Sequence, residues 1–414
     1  MMEKVILEEI RLSSTELGTR VDYKYDAPEI LQKYIKGEPL FVEFPCDMMK
    51  VPLSILAIPF VGIMATVTML LNVEIHVPAL EKSFMDCIEK LSKVYAKMYP
   101  DSGIKIDIFA DYAAKTKICS GGGTSSALFF TGGVDATSAL IGLLEERPTL
   151  INIWGGDLRL TDEDSHRELE QYLDTITEYL NLDYCFIKTN AREMFRENEL
   201  GFVCEKLLGH KRNHGWWASI AHVLSMVSAS TPWLWKNNIS NHYIGSSYDG
   251  QIKTLDANND EMVECLKWCS CKIRMADSAV ERNEKINRIV RFRNELMIPI
   301  ELKVCWNRNK GKNCSSCEKC YRTIMSIIAN KADPNDFGFH VDGNTIASIK
   351  NYLYHNTVNQ GFWENIQDAF KAEESYWEQD EYFAWFTKFK INGLSVYVRK
   401  IINKIGKVVS KVQS

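Results

Sequence analysis

The first part of the chain alternates apolar and polar residues with the period of two that is typical of half-buried strands. The alternation is clearest in KVILEEIRL, TRVDYKY and PLFVEF. The period then changes, and between Ala79 and Tyr99 apolar residues recur at the three- and four-residue intervals of an amphipathic helix. These patterns predict an N-terminal α/β unit over residues 1–120, which ends at a glycine-rich loop, Gly121–Gly123.

One segment of this unit, Val51–Asn72, carries no charge over 22 residues and is long enough to span a bilayer. Pro52 and Pro59 interrupt it, and Val, Ile and Thr are frequent, so we favour a buried helix or helix-strand pair over a membrane span. The N-terminal run MMEKVILEEIRL has charges within any apolar stretch, which does not fit a signal peptide. We therefore expect a cytoplasmic protein with no membrane span.

From Ala127 onwards, apolar strands alternate with helical patterns about 30 residues apart, which is the signature of a doubly wound parallel sheet. The predicted strands are ALFFT, TLINIWGG, YCFIKTN and NHYIGSS, and the predicted helices between them include ATSALIGLLEE, DSHRELEQYLDTITEYLNL and WWASIAHVLSMVSAS. We assign this α/β domain to residues 121–335. Ligands of such sheets bind at the carboxyl ends of the strands, so the loop after ALFFT is the first place to look for a site.

The pattern of residues 336–414 predicts a helical C-terminal extension. It ends in a basic tail, because Tyr382–Ser414 contains seven Lys or Arg and no acidic residue. Two roles for this tail stay open. It could dock on a partner or on anionic lipid, or it could be a solvated terminal helix, which is more common. The net charge of the whole chain is -5, so we expect no direct contact with nucleic acid and look instead to a small polar or anionic substrate or a protein partner.

The loop after the first strand of the α/β domain lies in LFFTGGVDATSAL. Its glycines permit a tight turn that points successive N–H groups at one anion, and the following helix adds its positive end. The lysine of a Walker loop and the GxGxxG pattern of a Rossmann loop are both missing. Because Asp135 would repel bare phosphate, a Mg²⁺ ion between carboxylate and phosphate oxygens is the natural complement.

A second cluster lies in CWNRNKGKNCSSCEKCYR, where Cys305, Cys314, Cys317 and Cys320 have the spacing C-x8-C-x2-C-x2-C. Four thiolates at this spacing can close a tetrahedral zinc site, and an iron-sulfur cluster is the less favoured alternative. A zinc ion enclosed by four thiolates stabilises the fold and is not catalytic. By contrast, CLKWCSC lacks a fourth nearby ligand, and His214, His222 and His242 have no metal-ligand spacing.

The loop resembles the pyrophosphate (PP) loop of the N-type ATP pyrophosphatases, a strand followed by Ser/Thr-Gly-Gly-x-Asp-Ser/Thr and a helix. The cysteine spacing, with Arg322 two residues after the last cysteine, resembles that of the 7-cyano-7-deazaguanine synthases within this superfamily. The resemblance implies an adenine nucleotide alpha hydrolase-like fold with ATP, Mg²⁺ and Zn²⁺. The ATP-binding residues would be Thr131, Gly132, Gly133, Val134, Asp135, Ala136 and Thr137, with Thr131, Asp135 and Thr137 as the catalytic ones. Ala136 departs from the pattern, so one phosphate contact should be missing.

Three weaker segments continue the resemblance over residues 127–330. GHKRNHGWWASIAHVLS implies substrate contacts from His210, Arg212 and Asn213, and YIGSSYDG implies them from Ser246, Tyr248 and Asp249. SAVERNEKINRI implies that Arg282 or Lys285 meets phosphate. Ordinary structural roles remain equally open: a helix cap for Asn213, a turn at Asp249-Gly250 and an exposed ion pair for Arg282.

The resemblance implies an ATP-dependent ligase that adenylates a carboxylate, here 7-carboxy-7-deazaguanine, releases pyrophosphate and forms an amide with an amine. Extended proteins of this kind belong to bacterial anti-phage defence clusters, which makes an amine of an acceptor protein the expected partner. Three alternatives stay open: ammonia-using 7-cyano-7-deazaguanine synthesis, an ATP-dependent epimerase acting on a peptidoglycan precursor, and a decayed nucleotide- or nucleobase-binding module.

Overall fold

Eleven strands of the described chain form one mixed β-sheet. The computed structural model describes residues 2–116, 125–209, 214–249, 256–305, 307 and 311–393. In chain order the strands are β1 (Lys4–Ser14), β2 (Thr19–Asp26), β3 (Phe41–Phe44), β4 (Glu74–Glu81), β5 (Ile108–Ala114), β6 (Ser125–Phe129), β7 (Thr149–Trp154), β8 (Tyr184–Thr189), β9 (Ile239–Gly245), β10 (Lys267–Trp268) and β11 (Cys271–Ala276).

Helices of the described residues pack against the strands of this sheet. They are α1 (Glu29–Gln32), α2 (Leu53–Leu56), α3 (Ile58–Leu71), α4 (Lys82–Met98), α5 (Val134–Gly142), α6 (Glu163–Leu180), α7 (Glu197–Leu208), α8 (His222–Lys236), α9 (Asp260–Cys265), α10 (Arg282–Leu296), α11 (Glu318–Ala329), α12 (Gly343–His355), α13 (Gln360–Ala372), α14 (Glu374–Trp377) and α15 (Ala384–Thr387). Short 3-10 turns lie at Leu144–Glu146 and Pro334–Phe337, and a π-helical turn at Trp217–Ala221 precedes α8.

The strand order is β10-β11-β9-β6-β7-β8-β3-β2-β1-β4-β5. Neighbouring strands from β11 to β8 are parallel, and the chain proceeds outward from β6 in both directions, first through β7 and β8 and then through β9 and β11. This is the doubly wound order, with its topological switch point between β6 and β9. The predicted α/β class with a large, mostly parallel sheet and a helical C-terminal part is confirmed.

The strands predicted for residues 1–120 continue the same sheet, because β3 pairs antiparallel with β8 through Val42 and Thr189. One boundary differs from the sequence pattern. The predicted helix from Ala79 begins at Lys82, since Ala79 and the next two residues extend β4 by pairing with β5. The side chain of Glu81 then caps α4 by accepting a hydrogen bond from the backbone N–H of Phe84 at 2.8 Å.

The uncharged segment forms the core of this half of the molecule. Leu53–Leu71 is the one helical stretch in the described residues that is long and apolar enough to cross a membrane, and 94% of its most apolar window is buried in the fold. Its helix α3 packs closely on α8, where a Cβ on Gly62 would meet the side chain of Ser228. The phenol of Tyr23 donates to the carbonyl of Leu56 at 2.9 Å. The apolar stretch Leu53–Leu71 is thus an interior helix of the fold, as predicted.

Candidate functional site

The site begins where β6 ends, at the switch point of the sheet. Gly132 has a φ of +72°, which favours glycine, and a Cβ there would lie 3.3 Å from the ring of Tyr172. Gly133 is the N-cap of α5, so the first N–H groups of this helix have no partner within the helix. The carbonyl of Gly132 accepts a hydrogen bond from the Lys303 N–H at 2.7 Å, which fixes the loop to the segment before the cysteines.

The end of β9 touches this loop directly. A Cβ on Gly245 would lie 2.7 Å from the carbonyl carbon and oxygen of Asp135 and 2.9 Å from the nitrogen of Ala136. Only glycine leaves room for such an approach between backbones. The contact brings the turn that follows β9, with Ser246, Tyr248 and Asp249, against the first turn of α5.

Lys285 contacts both the first turn of α5 and the turn after β9. Its side chain is fully buried, and its ammonium donates to the Asp135 carboxylate at 3.2 Å and to the carbonyl oxygens of Ser246 and Tyr248 at 2.7 and 2.9 Å. A buried ammonium with three oxygen partners is well satisfied. Lys285 therefore orients Asp135 and does not itself line the cavity.

Arg282, at the start of α10, lies beside the same carboxylate. One guanidinium nitrogen is 3.7 Å from Asp135, and another lies 3.4 Å from the hydroxyl of Thr323. The backbone N–H of Arg282 donates to Asp249 at 2.6 Å, and the amide of Asn365 donates to the same carboxylate oxygen at 3.1 Å. Asp249 thus links α10 to α13 of the C-terminal part, and α13 is a structural component of the site.

These residues surround a cavity of about 430 Å³. Its lining is rich in charge of both signs and is made of Asp135, Asp157, His214, Trp217, Ala218, His222, Ser247, Asp249, Asp256, Asn258, Arg282, Lys319, Arg322 and Phe362. Burial and the nearby Arg282 guanidinium lower the pKa of Lys319. The guanidinium of Arg322 lies 4.6 Å from the centre of the Phe362 ring, and its Nε lies 3.2 Å from Glu318. Three of these lining residues are cations, which can pair with anionic groups of a ligand, and four are aspartates, which can bind a metal cation or hydrogen-bond donors.

A second group of charges lies on the part of the wall formed by the end of β7 and the start of α8. The carboxylate of Asp157 accepts from the indole N–H of Trp217 at 2.9 Å, and its other oxygen is 3.2 Å from Nε2 of His222. Burial acts to raise the pKa of Asp157, but the His222 ring, the indole and Arg192 outweigh burial and lower it. Asp157 is therefore ionised and held in one orientation.

The four cysteines lie together, with all four sulfur atoms within 4.8 Å of one another. The Cys317 sulfur is 3.9 Å from that of Cys305 and 3.5 Å from that of Cys320, and the sulfurs of Cys314 and Cys320 are 4.0 Å apart. A tetrahedral ion with bonds of about 2.3 Å holds its sulfur ligands about 3.8 Å apart. The donor set and spacing therefore fit zinc.

The thiols of the cluster differ in acidity, because burial raises the pKa of Cys305 and of Cys320. Burial acts to raise the pKa of the Cys314 thiol, but hydrogen bonds, chiefly those involving Ser316, bring it down to about 6. The thiolate is the form that binds metal. The cluster also has a geometric role, because Cys317 is the N-cap of α11 and Cys320 lies in its first turn. It thereby fixes the helix that carries Lys319 and Arg322 to the cavity.

Comparison of the chain with protein-family models, with curated proteins and with solved structures gives no match.

Several predicted site residues converge. Asp135, Asp249 and Arg282 line the cavity, and Ser246 and Tyr248 contribute carbonyl oxygens behind it. The phenol of Tyr248 is directed to Asp260 at 3.1 Å. Thr137 is buried, and its hydroxyl has no hydrogen-bond partner among the described residues. Gly132 and Gly133 form the loop itself, with Thr131 before them and Val134 and Ala136 in the first turn of α5. The predicted substrate residues His210, Arg212 and Asn213 lie outside the described residues.

The sequence patterns did not predict several residues of the site: Asp157, Trp217, His222, Lys319 and Phe362 line the cavity, and Asn365 holds the carboxylate of Asp249. A signal existed for Asp157, since it follows β7 in TLINIWGGD and the carboxyl ends of neighbouring parallel strands meet at one edge. No such signal exists for Phe362 and Asn365, which reach the site from the C-terminal part of the chain.

Proposed function

We propose that this protein is an ATP-dependent carbon–nitrogen ligase, which adenylates a carboxylate with release of pyrophosphate and then transfers the acyl group to an amine. The observation that carries the proposal is the convergence on one cavity of Arg282, Lys319 and Arg322 with Asp135, which lies in the first turn of α5 directly after the glycine loop. A triphosphate needs such a combination of N–H donors and cations, because its negative charges must be offset as it reacts.

The loop has the features that a nucleotide phosphate requires. The free N–H groups of α5 are anion donors, and the buried Thr137 hydroxyl has no partner among the described residues. Asp135, with 27% of its side chain exposed, offers a carboxylate oxygen of the kind that Mg²⁺ binds together with phosphate oxygens. When bound, Mg²⁺ would offset the charge of the leaving pyrophosphate. Zinc, held by the four cysteines, would have a structural role.

The reaction needs no nucleophile from the protein. A carboxylate oxygen of the substrate attacks the α-phosphorus of ATP, the bond to the bridging oxygen of the β-phosphate breaks, and pyrophosphate leaves with that electron pair. The amine nitrogen then attacks the acyl carbon, the bond to the AMP oxygen breaks, and the amine loses one proton. In this scheme Arg282, Lys319 and Arg322 bind the phosphates, while Lys285 keeps Asp135 in position.

The proposed acid is 7-carboxy-7-deazaguanine. It rests on the combined resemblance of the PP loop and the C-x8-C-x2-C-x2-C spacing to the 7-cyano-7-deazaguanine synthases. The cavity of about 430 Å³ has the size of a small-molecule site. The proposed acceptor is an amine of a partner protein, in an anti-phage defence system, since the chain extends beyond the resemblance at both ends.

Incubation of the purified protein with ATP and 7-carboxy-7-deazaguanine tests the proposal. We expect release of pyrophosphate that depends on the acid, and we expect AMP in an equal amount, together with an amide, once ammonium or the co-expressed partner protein is added. Mass spectrometry of the partner would detect the added deazaguanine. Release of ADP and phosphate, or a partner of unchanged mass together with no amide from ammonium, would contradict it.

The substitution Ala136→Ser separates a weak enzyme from a nucleotide-binding module. Serine restores the hydroxyl at the first turn of α5 that the PP-loop pattern contains, so we expect AMP formation to rise about ten-fold or more, the effect of one added hydrogen bond to a charged group. Tight ATP binding with no AMP from either form, whatever the acid or amine, would favour the binding module.

A further inference from the structure

His222 and Asp157 form a paired acid–base unit in the wall of the cavity. Nε2 of His222 lies 3.2 Å from Asp157, and 22% of the histidine side chain is exposed. Nδ1 of the same ring makes no hydrogen bond to any described residue, so this nitrogen can accept a proton from a ligand. The contact with Asp157 therefore uses one ring nitrogen and leaves the other for a ligand.

The orientation of this unit is set from several sides. Trp217 donates its indole N–H to Asp157 and places its ring edge-on to that of His222, with 5.6 Å between the ring centres. Arg192 lies 3.8 Å from Asp157 and 4.8 Å from the Trp217 ring centre, and its guanidinium is held by Glu197 at 2.6 Å. A histidine held by an ionised carboxylate, itself held by further donors, is the arrangement of an oriented general base.

The second step of the proposed reaction requires such a group. The attacking amine must lose a proton as the amide forms, and a carboxylate-bound imidazole can remove it. In this scheme Lys319 binds phosphate, and the guanidinium groups of Arg282 and Arg322 stay protonated in proteins, so these cations do not remove it. Within the described residues, the cavity contains two histidines, His214 and His222, and only His222 has a carboxylate partner.

We infer that His222 is the general base for the acceptor amine and that Asp157 and Trp217 position it, an inference that rests on the proposed ligase function. As the amine nitrogen bonds to the acyl carbon and AMP departs with its oxygen, the proton moves from the amine to Nδ1 of His222. The imidazolium is stabilised by Asp157 and returns the proton to water in the next cycle.

The charges around His222 give this role a pH dependence. Burial acts to lower its pKa, but the charge and hydrogen bond of Asp157, together with Asp256, outweigh burial and the repulsion of Arg192 and raise it. A base works only in its neutral form, so amine transfer should rise with pH through this raised pKa. Replacing Asp157 by Asn removes the main stabiliser of the imidazolium and should move that rise to lower pH.

The test measures the two steps separately in wild type and His222→Gln. Exchange of labelled pyrophosphate into ATP, with 7-carboxy-7-deazaguanine and no amine, reports adenylation. Amide formation from ammonium chloride, followed by mass spectrometry, reports transfer. The matched control is His76→Gln, because His76 is also paired with a carboxylate, Glu74 at 2.8 Å, but lies on β4 outside the cavity.

We expect the ratio of transfer to exchange to fall about 100-fold in His222→Gln, the scale of general base catalysis. His76→Gln should keep the wild-type ratio. At each pH, the amide-formation rate of the wild type is divided by that of His222→Gln, which cancels the titration of ammonium. This quotient should rise with pH. The same quotient calculated with Asp157→Asn in place of the wild type should rise at lower pH. The inference would be overturned if His222→Gln kept the wild-type ratio of transfer to exchange, whether both rates fell together or neither fell. Absence of exchange in the wild type would instead refute the ligase proposal, and this inference with it.

Discussion

The ammonium of Lys285 lies 3.2 Å from the carboxylate of Asp135 and donates at the same time to the carbonyl oxygens of Ser246 and Tyr248. Lys285 is on α10, Asp135 is on α5, and the carbonyl oxygens belong to the turn after β9. One fully buried charge thus holds together the three segments that meet at the switch point of the sheet. The geometry of the candidate phosphate loop depends on this contact.

Replacing Lys285 by Met should therefore both destabilise the fold and disturb the loop. The substitution leaves two buried carbonyl oxygens and part of a carboxylate without their donor, so we expect the free energy of unfolding to fall by about 3 kcal/mol. Urea denaturation would measure this. Lys272→Met is the matched control, because Lys272 is exposed on β11. A loss in Lys285→Met no larger than in the control would contradict a structural role for the ammonium.

The four-cysteine cluster should contain one zinc ion per chain, measurable by plasma mass spectrometry of the purified protein. Cys320→Ser should remove the metal and lower the free energy of unfolding by about 4 kcal/mol, because the ion links α11 to the preceding segment. Cys265→Ser, a change at a partly exposed thiol outside the cluster, should keep the metal. Iron in place of zinc, with visible absorption, would show that the cluster assignment is wrong.

Gly245→Ala should damage the site through the backbone. The added Cβ would lie 2.7 Å from the carbonyl group of Asp135, so β9 or α5 must shift, at a cost of about 1–3 kcal/mol. We also expect weaker ATP binding, measured by calorimetry. Gly343→Ala is the control, because a Cβ at Gly343 meets no atom within 4 Å. Wild-type stability and ATP affinity in Gly245→Ala would show that the close approach is unimportant.

His242 should make the stability of the protein depend on pH. Burial lowers its pKa to about 3, and neither ring nitrogen has a hydrogen-bond partner among the described residues. The unfolded chain, with a histidine pKa of about 6.5, binds the proton first. The stabilising contribution of neutral His242 is therefore complete above pH 6.5 and is lost as the pH falls toward 3, by at most about 1.4 kcal/mol per pH unit.

Urea denaturation at pH 7 and pH 5 checks this effect. His242→Phe keeps a ring beside Phe129, whose ring centre lies 4.1 Å from that of His242, and removes the titration. The loss of stability between the two pH values should be smaller in this variant than in the wild type. His355→Gln, at an exposed histidine on α12, should behave as the wild type does. Equal losses in His242→Phe and the wild type would contradict the prediction.

The sequence predicted local features well where one short segment determines them. The alternation in TRVDYKY predicted β2, the charge-free run predicted a buried helix, and the cysteine spacing predicted a cluster that the structure brings within 4.8 Å. It also predicted that Asp135 follows a strand and opens a helix. In each case the information lies within about 20 consecutive residues, where backbone preference and hydrophobic period dominate.

The sequence patterns did not predict contacts between segments that are far apart in the chain. The pairing of β3 with β8 joins residues about 150 positions apart, and Asn365 reaches Asp249 across 116 positions. The partnership of His222 with Asp157 depends on how α8 packs against the end of β7. Nothing in the spacing of these residues predicts that they meet, because packing of the whole core decides it.

The sequence by itself determined the α/β class, the glycine loop before a helix and the cluster of four thiols, since each follows from local conformational preference or from the spacing of the cysteines. Tertiary structure alone decided which charges surround the loop. Lys285 is buried behind Asp135, Lys319 and Arg322 are carried in by the cysteine cluster, and His222 is oriented by Asp157. The reason is physical: a buried charge persists only where the fold supplies its partners, and those partners come from segments far apart in the chain.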